Sequence, residues 1–79
     1  MNAGIHPAPD GFSESQLKDD PILRYFRFSH LPDKLQAVSK PFCFLAMDLV
    51  RNLPRNAERS TALRKLLEAK DCAVRALVE

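Results

Sequence analysis

Apolar residues fall into three separate rhythms along the chain. Between residues 32 and 53, Leu35, Val38, Phe42, Leu45, Ala46, Leu49, Val50 and Leu53 step by three and four, which marks one face of a helix. From Ala57 to the end, Leu63, Leu66, Leu67, Ala73, Val74, Leu77 and Val78 repeat that spacing. The tract "PILRYFRF" alternates as a strand would, but the chain offers it no partner strand. Ser13, with Gln16 three residues on, forms a candidate capping box for a helix over about 14–28. Pro21 must break or restart that helix because it lacks a donor.

Local signals bound the other two helices, expected over about 32–53 and 57–78. Ser29 or His30 is the expected cap of the first, with Pro32 at an early position where its missing N–H costs nothing. Pro41 lies inside and should bend the helix, freeing the carbonyl near Ala37. Pro54 stops it, and Asn56 can cap the next. Two helices of such length joined by a tight turn lie antiparallel. The expected fold is therefore all-α: an antiparallel helical hairpin with a short N-terminal helical arm. Residues 1–13, with Gly4, Pro7, Pro9 and Gly11, read as a flexible tail before a hairpin domain over 14–79. A 79-residue chain is short for a self-sufficient core, and its two Cys make no disulfide framework, so assembly into a homo-oligomer is expected.

Charge sharpens the picture. The net +2 divides into −3 over residues 1–21, +2 over 22–50 and +3 over 51–79. That is milder than a typical duplex-binding domain, and a compact anion with a few phosphates fits better. The start shows no signal-peptide pattern and no run spans a bilayer, so Cys43 and Cys72 are expected to be free, buried thiols in a reducing compartment. Neither metal nor cofactor is expected: His6 and His30 lack ligand spacing with the cysteines, and no glycine-rich phosphate loop is present. No pair of carboxylates faces a reactive centre, so catalysis is not expected.

Two constellations remain. In "RYFRFSHLP", Tyr25 and Phe28 alternate with Arg24 and Arg27. They read equally as base-stacking platforms or as packing anchors, while Phe26 reads as an anchor. In "PRNAERST", Arg55, Arg59, Ser60 and Thr61 gather at a helix start, where free N–H groups and the helix dipole favour anions. Along that helix Arg64–Glu68 and Asp71–Arg75 stand at pairing distance. Lys70 falls in line with the apolar stripe and calls for a carboxylate partner.

The tracts "HLPDKLQAVSKPFCFLAMDLVRNLP" and "ERSTALRKLLEAKDCAVRA" resemble the small helical-hairpin domain of phage-encoded anti-CBASS cyclic-oligonucleotide sponges, a hairpin shared with a Thoeris anti-defence sponge family. The resemblance covers about Tyr25 to Val78, and residues 1–20 have no clear counterpart. It implies an intracellular homohexamer, acting in the cytoplasm of an infected bacterium, that holds cyclic dinucleotides in pockets shared between protomers. Some such proteins also hold cyclic trinucleotides at separate sites, and none cleaves the ligand. Carried over residue by residue, the resemblance places dinucleotide contacts at Tyr25 and Lys40, with Phe28 and His30 beside them. It places trinucleotide contacts at Arg59, Ser60 and Arg64, with Lys70 and Arg75 secondary. The competing expectations are a nucleic-acid-binding regulator using the same arginines on an open face, and a module that docks a protein partner through Tyr25 and Phe28.

Overall fold

The computed structural model describes residues 11–78. Helix α1 spans Glu14–Asp19, a 3-10 helix spans Pro21–Phe26, and the long helices α2 (Asp33–Asn52) and α3 (Ala57–Val78) form the hairpin. No strand occurs among the described residues. The all-α hairpin with a helical arm is thus the observed architecture.

The arm begins as its sequence dictates. Ser13 Oγ accepts from the Gln16 amide at 3.1 Å, and the Ser13 amide donates to Gln16 Oε1 at 2.9 Å, closing the capping box. Pro21 interrupts as expected: the helical arm over about 14–28 is two short pieces, with Asp20 between them and residues 27 and 28 already outside. The 3-10 geometry turns the chain tightly enough to bury both Leu23 and Phe26, three positions apart on one edge.

The α2 cap differs from expectation. Pro32 itself is the N-cap, its carbonyl accepting from the Leu35 and Gln36 amides at 2.9 Å each. Neither Ser29 nor His30 caps the helix. Gln36 reaches back instead, donating from its amide nitrogen to the Leu31 carbonyl at 2.8 Å. At the other junction Asn56 does what was expected, its Oδ1 accepting from the Arg59 amide at 2.9 Å.

The core is a single cluster of Phe12, Leu23, Phe26, Phe28, Cys43, Ala46 and Leu63, contributed by the arm, α2 and α3 together. Three sequence expectations shift here. Phe12, assigned to the flexible tail, is fully buried; residues 1–10 of that tail lie outside the described residues. Leu45, assigned to the packing stripe of α2, is 47% exposed, and Ser39 and Cys43 occupy the inner face instead. The reason is that α2 packs against the arm on one side and α3 on the other, so its buried sector is rotated from the one the apolar spacing suggests. Cys43 is buried as expected but Cys72 is exposed, and both are free thiols. At Gly11, φ is +92°, a left-handed conformation that favours glycine.

Candidate functional site

The first constellation forms around the start of α3. Arg59, one turn in, is 5% exposed, and its guanidinium is committed within the fold. It donates to Asp20 Oδ2 at 2.7 Å and to the carbonyls of Val50 and Leu53, each at 3.3 Å. Those carbonyls belong to the last turn of α2 and to its C-cap residue Leu53, where no intrahelical donor is available. Arg59 therefore ties the arm, the end of α2 and the start of α3 to one point. Three of its five N–H donors are engaged and it is nearly buried, so the ligand role assigned to it from the sequence has little exposed guanidinium to work with.

Above Arg59 lies an open cavity of about 360 Å³ between the arm and α3. Asp19, Asp20, Pro21 and Ile22 form one wall, and Arg55, Ser60, Thr61, Leu63 and Arg64 the other. Arg55 leans across the mouth, donating to the Asp19 carbonyl at 2.9 Å and lying 3.8 Å from the Asp20 carboxylate. Arg64 makes no ion pair or hydrogen bond among the described residues; the Arg64–Glu68 pair expected from spacing does not form, and Lys65 takes Glu68 at 3.6 Å. With Asp20 neutralised by Arg59, the cavity sets one unpaired guanidinium, two hydroxyls and the positive end of a 22-residue helix against the Asp19 carboxylate. That combination suits an anion of phosphate size.

Ser60 and Arg64 thus share one cavity, as the sequence suggested. Lys70 and Arg75 do not join them. They stand two to four turns further along α3, roughly 15 and 22 Å from Ser60 at 1.5 Å per residue. The Lys70 side chain is 12% exposed and finds its carboxylate in the adjacent Asp71 at 3.3 Å. Asp71 is not paired with Arg75, whose guanidinium donates to Cys72 Sγ at 3.3 Å.

The second constellation gathers around Phe28. Lys40 Nζ sits 5.6 Å from the Phe28 ring centroid, within range of a cation–π contact. Phe28 in turn meets Phe44 edge-on, centroids 6.1 Å apart at 84°. Phe28 is buried in the core, so it acts as an anchor, as does Phe26. Tyr25 is the reverse: its side chain, three residues before Phe28, is 60% exposed. His30 is exposed in the turn before α2. Tyr25 and Lys40, the dinucleotide contacts expected from the sequence, are both exposed.

What sequence reasoning missed is the single Asp20 carboxylate that faces both Arg55 and Arg59. Asp20 directly before Pro21 was the available signal, since an acid at a helix break invites a buried cation. No cluster of three or more potential metal ligands gathers among the described residues. No helix among them is long and apolar enough to cross a membrane. Comparison with family profiles, with curated proteins and with solved structures gave no match.

Proposed function

We propose that this protein sequesters cyclic oligonucleotide second messengers, binding them without cleavage and so keeping a bacterial immune effector inactive during phage infection. Two observations support the reading: Tyr25 is exposed, and the Lys40 ammonium is held over the Phe28 ring three residues further along the arm. A cyclic dinucleotide presents flat bases and two phosphates. Tyr25 supplies a face for a base, and Lys40 supplies up to three N–H donors for a phosphate. His30, exposed in the following turn, stands as a further donor. The resemblance of residues 25–78 to the cyclic-oligonucleotide sponges points to the same two residues, and it supplies the further proposal of a homohexamer in the cytoplasm of the infected host.

A second ligand site, for a cyclic trinucleotide, fits the cavity at the start of α3. Arg64 and Ser60 are its contacts, with Arg55 and Thr61 joining them; Lys70 and Arg75 could reach it only from another copy. Arg59 serves it indirectly by neutralising Asp20, which lines the cavity.

A thermal-shift panel of cyclic di- and trinucleotides tests the reading. A ligand at about a hundred times its dissociation constant stabilises by about 2.7 kcal/mol, worth about 10 °C or more in a domain of this size. Tyr25→Ala and Lys40→Ala should each remove the dinucleotide shift, and Arg64→Ala only the trinucleotide shift. Heating the complex should return the ligand intact. If no cyclic nucleotide moves the melting temperature, the proposal fails.

A further inference from the structure

We infer that the outer face of α2 docks a second copy of this chain, antiparallel and about a two-fold axis that passes by Phe44. Pro41, Phe44 and Leu45 all lie exposed on this face, Phe44 at 52% and Leu45 at 47%. They are contiguous along the helix, being spaced by three, four and one. Large apolar side chains grouped in this way are a common mark of an interface. Phe44 also rests edge-on against the buried Phe28, so it is held in place from below and not loose in solvent.

The occupant follows from the charges. Lys40 lies four residues before Phe44 and Asp48 four residues after it, both exposed on the same face. Each is about 6 Å along the helix axis from Phe44. Set a second α2 antiparallel across this face, with Phe44 against Phe44. Lys40 of each copy then falls opposite Asp48 of the other, and two ion pairs bracket the aromatic contact. Helices pack about 8–10 Å apart, a gap these side chains span. A parallel arrangement would put lysine against lysine and aspartate against aspartate. The pattern therefore favours the two-fold, self-complementary contact and opposes the alternative. Arg51, now 2.7 Å from Asp48, is an exposed competitor, and pairs of that kind contribute little. Lys40 has three donors, so facing a carboxylate leaves it able to meet a phosphate. The contact itself needs no nucleotide.

The experiment is sedimentation equilibrium of the full chain without any nucleotide. The parent should self-associate reversibly. Phe44→Glu and Leu45→Glu, both at exposed positions, should weaken association while far-UV helicity is kept. Lys40→Glu and Asp48→Lys should each raise the dissociation constant about tenfold or more, and the double exchange K40E/D48K should restore it. A Cys72→Ser background carrying Phe44→Cys should oxidise to a disulfide-linked dimer. A monomeric parent overturns the inference and points to a different protein on this face. So does an assembly whose mass is unchanged by F44E and L45E, or a double exchange no better than the single ones. None of these results depends on ligand binding, so they separate from failure of the nucleotide reading.

Discussion

Arg59 ranks among the most consequential side chains described, and its role is structural. A guanidinium at 5% exposure is tolerable only because a carboxylate and two carbonyls receive its donors. Removing it leaves Asp20 mostly buried without its partner and the end of α2 uncapped. Arg59→Ala is expected to destabilise by about 3 kcal/mol, lowering the melting temperature of the ligand-free protein by roughly 10–20 °C. Arg59→Lys should recover only part of this, since an ammonium cannot fork between a carboxylate and two carbonyls. An unchanged ligand-free melt in Arg59→Ala would show that the buried network contributes little. The same position shows why charged residues mislead a reader of sequence. Arg59 follows "NAE" on an outwardly polar stretch, and its counter-ion lies 39 residues away, a separation no local pattern reveals.

At the scale of elements, local chemistry was legible and shared surfaces were not. The capping box at Ser13, the break at Pro21 and the Asn56 cap each depend on residues within three or four positions, and each is present in the structure. The face that α2 buries depends on the arm and α3 together. Ser39, whose hydroxyl is buried without a hydrogen-bond partner among the described residues, stands inside where Leu45 was expected. For the same reason Tyr25 and Phe28 could not be told apart from sequence: both suit stacking or anchoring, and the packing of the arm exposes one ring and buries the other. Pro41 is the clearest remaining local anomaly, a proline inside an uninterrupted 20-residue helix. It removes the donor for the carbonyl four residues back, and an interior proline costs about 3 kcal/mol relative to alanine. Because Pro41 is exposed, Pro41→Ala loses little packing and should raise stability by about 1–3 kcal/mol, read from a denaturant melt. A variant that gains no stability would mean that the surrounding packing, and not the hydrogen-bond ladder, fixes the helix there.

For the molecule as a whole, the proposed function requires a protein of net charge +2 to hold a polyanion. Several of its cations are engaged internally: Arg59 and Arg55 face Asp20, Lys65 and Lys70 face neighbouring carboxylates, and Arg51 faces Asp48. A continuous basic track for a nucleic-acid polymer would need many more free ones, whereas a small ring with two or three phosphates needs few. Salt distinguishes the two. A protein that neutralises six to ten phosphates of a duplex loses roughly 10³–10⁵ in affinity between about 50 and 200 mM salt. Contact with two phosphates releases at most about two counterions, so the loss over the same range should be no more than about tenfold to twentyfold. Titrations of a cyclic dinucleotide at both salt levels, beside a duplex of random sequence, make the comparison. A steep slope for the cyclic ligand would mean that it samples an open basic face. A shallow slope that Tyr25→Ala leaves unchanged while affinity falls would assign the lost affinity to ring stacking, and the charge contribution to Lys40.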